Sequence, residues 1–177
     1  MARYFSSLSR PIAALLFLAG STAFAQTTAA LSQVCDASTA APSADRIAAC
    51  TSLIESKTLE AHGLALAYMH RAWPESMGGQ QDLALQDLNA AAKLDPASAY
   101  ILSDRGFLHL RMGKPDLAIA DYTAALKLNP RTVYALYGRG IAYSRKGRKA
   151  QGTADLDAAR GLLSNVDSVF AALGVKP

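Results

Sequence analysis

Cysteine and histidine are scarce in this chain, with two of the first and three of the second among 177 residues. His62, His70 and His109 share no ligand spacing, and Cys35 and Cys50 are too far apart for a Cys-x-x-Cys redox pair or a zinc ligand set. No metal is expected. Also missing are a G-x-S-x-G elbow, a phosphate-cradling glycine loop and an H-E-x-x-H helix. Acyl transfer, phosphoryl transfer and metal-assisted hydrolysis therefore each lack a nucleophile, a cradle or a site, so the chain reads as a non-enzyme without cofactor. Charge of one sign is not in large excess either, because 18 Lys and Arg face 14 Asp and Glu for a net +4. Two of those arginines, Arg3 and Arg10, sit in a segment expected to be removed, which leaves +2 and a poor case for nucleic acid.

The one strongly apolar run lies at the N-terminus. Arg3 and Arg10 precede an apolar stretch from Ile12 to Gly20, and Ala23-Phe24-Ala25 supplies small residues at both positions a signal peptidase reads. Residues 1–25 are expected to be a cleaved signal peptide, too short in its apolar part to span a bilayer as a mature helix. No cysteine follows directly for lipid attachment, and no Arg-Arg pair marks the twin-arginine route. No later run is long enough for an integral membrane span. Export places the mature chain in the periplasm, or outside the cell, and in that oxidising compartment Cys35 and Cys50 are expected to form a disulfide. Residues 26–44, rich in Ala, Thr and Ser, are expected to be a flexible N-terminal segment pinned by that bridge.

What the sequence does have is a period. Arg71, Arg105 and Arg139 are spaced by 34, as are Asp87, Asp121 and Asp155, and Ala91, Ala125 and Ala159. Gly106 and Gly140, Gly113 and Gly147, Pro96 and Pro130, and Leu94, Leu128 and Leu162 keep the same step. Such self-similarity is the mark of a repeat architecture. In the unit from Ala99 to Thr132, apolar residues at helical spacing stop at Gly113-Lys114-Pro115, and an Ala- and Leu-rich second helix ends at Asn129-Pro130. Each unit is an αα-hairpin.

This unit resembles the tetratricopeptide repeat. The family's small residue in the first helix falls on Gly106 and its turn glycine on Gly113. Its remaining small, aromatic, small and proline positions fall on Ala118, Tyr122, Ala125 and Pro130. Small side chains let the two helices approach closely while Leu102 and Tyr122 fill the spaces between them. The third unit, 133–166, keeps Gly140, Tyr143, Gly147 and Ala159 but has Gly152 and Leu156 where alanine and an aromatic are usual. The first, 65–98, keeps Ala72, Ala84, Ala91 and Pro96 but carries Pro74 late in its first helix, which predicts an irregular loop over 74–80. Upstream, Asp45 to Glu55 resembles a lone second helix, with Ile47, Cys50 and Ile54 in the places of Ile119, Tyr122 and Leu126. Downstream, Val166, Val169, Phe170 and Leu173 form an apolar stripe ahead of Gly174, suited to cap the last hairpin over 166–174. The expected fold is all-α, an α-solenoid over 45–177 of half a repeat, three full repeats and a capping helix.

The repeated charges have a structural reading. Arg71, Arg105 and Arg139 lie one residue before the small position of the first helix, and Asp87, Asp121 and Asp155 lie in the second. Antiparallel packing brings the two together, and each aspartate is placed to reach the next repeat's arginine as well, giving a ladder that fixes register. The basic run Arg145-Lys146-Gly147-Arg148-Lys149 sits on the last hairpin turn and reads as a solvated turn, with an acidic partner or anionic lipid as the alternative.

The resemblance implies a concave groove lined by the first helices. Helical geometry puts Trp73, Tyr100, Phe107, Arg111, Tyr134, Tyr137 and Arg145 on that face. Aromatic and arginine side chains dominate interface hot spots. The Lys and Asn clamp by which some relatives hold a C-terminal carboxylate is missing, since those places hold Met69, Trp73, Ser103, Asp104, Phe107, Tyr137 and Gly138. The expected function is a monomeric periplasmic module that binds a peptide or helix of a cell-envelope protein. The alternative is a structural or chaperone-like accessory subunit of an envelope or secretion complex.

Overall fold

The computed structural model describes residues 28–36, 41 and 43–176. The expected signal peptide, residues 1–25, lies outside the described residues. Among the described residues there are nine helices and no strand. They are α1 (28–35), α2 (Ser43–Glu55), α3 (Ala61–Met77), α4 (Gln81–Leu94), α5 (Ala99–Arg111), α6 (Pro115–Leu128), α7 (Val133–Arg145), α8 (Lys149–Leu162) and α9 (Val166–Ala172). The chain forms an all-α helical repeat solenoid in which α3–α4, α5–α6 and α7–α8 are the hairpins.

The 34-residue step extends to the helix ends. First helices stop at Met77, Arg111 and Arg145, and second helices run from Gln81, Pro115 and Lys149 to Leu94, Leu128 and Leu162. Each turn passes through one left-handed glycine, at φ +86° in Gly79, +70° in Gly113 and +74° in Gly147, a conformation that costs a side-chain-bearing residue. The amide after each glycine then closes on the first helix, with Gln80 N–H donating to Glu75 O, Lys114 to His109 O and Arg148 to Tyr143 O, each at 2.9 Å.

The expected loop over 74–80 is not there. Helix α3 runs through Pro74 to Met77, and its turn matches the other two. Only one helical hydrogen bond is lost at a proline, and Pro74, Glu75 and Ser76 are buried against their neighbours, so packing and the Gly79 turn hold the last turn of α3 in place. The segment expected to be flexible also contains a helix, α1. Leu31, Val34 and Cys35 pack on Ala49, Leu53, Leu59 and Ala67, and the Cys35–Cys50 disulfide fastens α1 to α2.

Contacts along the stack are uneven. The first helices touch in succession, α3 on α5 and α5 on α7, whereas among the described residues no two second helices touch. The stack therefore bends with α3, α5 and α7 on its inner face.

Each hairpin is pinned by a bidentate ion pair. Arg71 Nε and Nη2 donate to Asp87 Oδ2 and Oδ1 at 2.7 and 2.8 Å. Arg105 does the same to Asp121 at 2.9 and 2.6 Å, and Arg139 to Asp155 at 2.6 and 2.8 Å. The link between hairpins differs from the expected one. No aspartate of these three pairs with the next arginine; the free Nη1 reaches back instead to Thr51 Oγ1 (3.0 Å), Asn89 Oδ1 (3.1 Å) and Thr123 Oγ1 (3.5 Å). The guanidinium fork has already filled both carboxylate oxygens within its own hairpin, so the third donor takes the neutral acceptor available on the preceding helix. Thr51 stands to Cys50 as Thr123 stands to Tyr122, so α2 occupies the place of a second helix.

The Arg105 and Asp121 side chains are 23% and 10% exposed, so Asp121→Ala leaves a half-buried guanidinium without its counter-ion. The expected loss is about 3 kcal/mol. Asp116→Ala, which breaks a pair exposed at 41% and 73%, is expected to cost under about 1 kcal/mol. Urea unfolding of the two variants beside the parent checks the difference.

Candidate functional site

The inner face of the stack is built by one repeat position that recurs as Trp73, Phe107 and Ile141, and by its neighbours Ser103 and Tyr137 a turn away. Trp73 stacks on Phe107 with ring centroids 5.6 Å apart. Tyr122, from the second helix of the middle hairpin, closes the floor. Its ring lies over Gly106, with nothing between the ring and that helix, and its hydroxyl end lies over Gly138 of α7. The hydroxyl is buried without a hydrogen-bond partner, and burial raises its pKa. Asp104, beside Ser103, is half-buried, and burial pushes its carboxyl up to about 7.

The C-terminal helix enters this groove. The Phe170 ring centroid lies 4.5 Å from that of Tyr137 and 6.0 Å from those of Phe107 and Tyr134. Val166, Phe170 and Val175 are buried in the same cluster as Phe107, Tyr137 and Ile141. Helix α9 thus reaches beyond the last hairpin, which it was expected to cap, and contacts the middle one. A polar clasp holds its first turn. Tyr137 Oη donates to Asp167 Oδ1 at 2.5 Å, and Arg160 of α8 donates to both Asp167 oxygens at 2.9 and 2.8 Å. The Arg160 guanidinium and the Tyr137 hydroxyl hold the Asp167 carboxyl down at about 2. Burial and the same carboxylate push the Tyr137 phenol up to about 12.

Beyond α9 the groove stays open. A cavity of about 290 Å³ is walled by Trp73, Phe107, Tyr134, Phe170 and Leu173, with Ser103, Tyr122 and Val169 completing it. Nearly all of this lining is apolar, and the volume suits one or two large side chains.

The residues placed on this face by helical geometry separate into three groups. Trp73 and Phe107 line the cavity, and Tyr134 lines it while remaining 47% exposed. Tyr100 is 66% exposed on the same inner helix and does not line the cavity, and Tyr137 is wholly covered by Phe170. The arginines are tied to the preceding first helices, and the Arg111 guanidinium also lies 6.0 Å over the Phe107 ring. Arg111 Nη1 donates to Ser76 O at 3.3 Å and Ser76 Oγ at 3.0 Å, and Arg145 Nη1 to Leu110 O at 3.0 Å. Each caps the end of the preceding first helix, where carbonyls lack partners. The basic turn is likewise engaged, with Lys146 on Asp116 at 2.9 Å and Arg148 over the Tyr143 ring at 4.5 Å.

Phe170 and Tyr122 were not legible as parts of this surface, and Gly138 was read there only as a place where a clamp residue is missing. The signal for Phe170 lay in the width of the α9 stripe. Val166 and Phe170 are enough to seal a hairpin, which leaves Val169 and Leu173 free to line a cavity. Among the described residues no cluster of His, Cys, Asp and Glu could hold a metal ion, and no helix is long and apolar enough to cross a membrane.

Residues 99–131 match the family profile described as tetratricopeptide repeat. No curated protein sequence matches the chain. Solved structures do. The crystal structure of MamA is 22% identical at a TM-score of 0.60, with 70% of each chain covered. YrrB, described as a TPR protein with an unusual peptide-binding site, is 16% identical at 0.59, covering 75% of this chain and 66% of its own. The first TPR of Spaghetti (RPAP3), bound to the HSP90 peptide SRMEEVD, is 22% identical at 0.55, covering 57% of this chain and 80% of its own. At these identities the likeness is one of fold.

Two predictions follow from the geometry of the groove. A Cβ at Gly138 would collide with the Tyr122 ring, so Gly138→Ala is expected to destabilise by about 1–3 kcal/mol. Gly161→Ala, where a Cβ meets nothing, is expected to gain roughly 0.5 kcal/mol from helix propensity; thermal unfolding compares the two. The clasp on α9 has a calculable pH window. Asp167 is depressed in the folded state, so its contribution is complete above an unfolded pKa of about 4 and fades as pH falls towards 2. Tyr137 is raised, so its contribution is complete below about 10 and fades as pH climbs towards 12. Fluorescence of Trp73, the sole tryptophan, is expected to change below about pH 4 and above about pH 10 as the clasp opens. Asp167→Asn is expected to remove the acid change while leaving any change near neutral pH that comes from Asp104.

Proposed function

We propose that this chain, whose residues 99–131 match the tetratricopeptide repeat profile and whose fold is that of tetratricopeptide repeat structures, is an exported protein–protein interaction module whose concave groove holds a peptide or helix of a cell-envelope protein. The observation that carries this reading is the apolar cavity between Trp73, Phe107, Tyr134 and Phe170. Its walls include Tyr134, which remains 47% exposed. Tyr100 and Tyr134 stand exposed on the same inner helices, and such residues gain much buried area at low entropic cost when a partner covers them. Peptide-bound relatives of the same fold support the reading, as does the bound peptide in the Spaghetti structure. The chain is read as a binder and not a catalyst, because its repeated Arg and Asp are engaged with one another.

Export is supported by the N-terminal pattern of Arg3, Arg10, the apolar run and Ala23-Phe24-Ala25, and by the Cys35–Cys50 disulfide, a bond that persists in oxidising compartments. The mature chain is proposed to act as a monomer.

A photocrosslinking residue placed at Tyr134 or Tyr100 in intact cells, followed by mass spectrometry, is expected to trap one envelope protein. Positions Leu83 and Leu117, exposed on the second helices, are expected to trap none. Crosslinks confined to Leu83 and Leu117 would overturn the groove assignment. Protein released by osmotic shock is expected to begin at Gln26; a cytoplasmic protein that keeps Met1 would overturn the localisation.

A further inference from the structure

We infer that α9 is an intramolecular occupant of the binding groove, seated where the partner's helix seats and displaced by it. This rests on the groove reading above. The geometry points to it in three ways. First, α9 is far shorter than the thirteen residues of α5 or α7. A seven-residue helix is well below the length of about 12 at which isolated helices become even marginal, and its N-cap residue Asn165 makes no side-chain cap. Its order therefore derives from the groove. Second, the contacts of α9 are those of a ligand. One aromatic anchor, Phe170, enters between Phe107, Tyr134 and Tyr137, while the Asp167 carboxylate is gripped at the rim by Arg160 and Tyr137. Third, α9 fills only part of the site and leaves about 290 Å³ of apolar space between itself and Trp73. A helix that filled both the Phe170 seat and that cavity would bury more apolar surface than α9 does, so it would win the exchange.

The pattern of α9 then states the chemistry of the partner. It is a short amphipathic helix with an aromatic residue, a carboxylate three positions before it, and branched aliphatic residues one turn before and nearly one turn after, as Val166 and Leu173 stand to Phe170. An additional large apolar side chain would occupy the cavity beside Trp73. Because part of the population is closed by α9, the apparent affinity for such a helix is reduced by the fraction that is open.

The test uses the full mature chain and a fluorescent peptide with the sequence of residues 163–177. Phe170→Ala loosens the cis helix, so the variant is expected to bind the peptide at least about tenfold more tightly than the parent. Phe107→Ala in the same background is expected to abolish the gain. Equal affinity of parent and Phe170→Ala would overturn the inference, as would exchange of α9 between two copies, seen as a dimer by light scattering. Native-state hydrogen exchange on the unmodified chain covers the case in which the variant does not fold. Amides of 169–175 are expected to exchange by local opening, well ahead of those in the middle of α7; exchange only through global unfolding would overturn the inference. The two readings fail separately. A peptide gain without cellular crosslinks from Tyr134 keeps the displaceable helix and removes the envelope partner, while crosslinks without a peptide gain do the reverse.

Discussion

Two antiparallel helices joined by a short turn can settle a full helical turn out of step, because the apolar faces of both read almost the same after four residues. What removes that freedom here is a fork. In each hairpin a guanidinium meets both oxygens of one carboxylate, Arg71 on Asp87, Arg105 on Asp121 and Arg139 on Asp155. Planar bidentate pairing tolerates little displacement. Half-burial of the arginines makes a mismatched register costly, since it would strand a desolvated charge. The third donor of each fork then ties the hairpin to the helix before it, through Thr51, Asn89 and Thr123. Register within a hairpin and register between hairpins are thus set by the same side chain.

The groove follows from that register. With α3, α5 and α7 held in step, Trp73, Phe107 and Ile141 align along one inner row, and Arg111 and Arg145 cap the preceding helix ends. The close approach of α5 and α7 over Tyr122 requires that Gly138 carry no side chain. The row becomes less open along its length. Ile141 is fully buried, Tyr137 is covered by Phe170 of α9, Phe107 is shared, and Trp73 faces the cavity. The stack is therefore closed at its C-terminal end and open towards its first hairpin.

Much of this was legible in the sequence because it repeats. A period of 34 in Arg, Asp, Gly and Pro located every hairpin and named both partners of every fork. The misread at Pro74 came from judging a residue by its intrinsic preference. Gly79 lies 34 before Gly113 and already marked the true end of α3, and burial of Pro74 and Glu75 outweighs one lost hydrogen bond. The link between hairpins was misassigned for a different reason. Spacing can say which residues approach, but not which acceptor still has a free lone pair once the nearer donors are satisfied. Helical angle placed Arg111 and Arg145 on the inner face but could not show that each would also bond a carbonyl of the preceding first helix. The position of α9 was the least legible, because its apolar stripe fits the end of a hairpin and the inside of a groove equally well, and only the three-dimensional path of residues 163–165 decides between them.

The central claim is that the inner face of the stack is a ligand groove whose C-terminal half is filled by the chain itself, and proton–proton nuclear Overhauser contacts of the Phe170 ring in the mature protein test it most directly. Ring centroids at 4.5 Å from Tyr137 and 6.0 Å from Phe107 predict strong contacts to Tyr137 and weaker ones to Phe107, both lost when a groove-binding helix is added. Contacts of Phe170 to α8 alone, with none to Phe107 or Tyr137, would contradict the account.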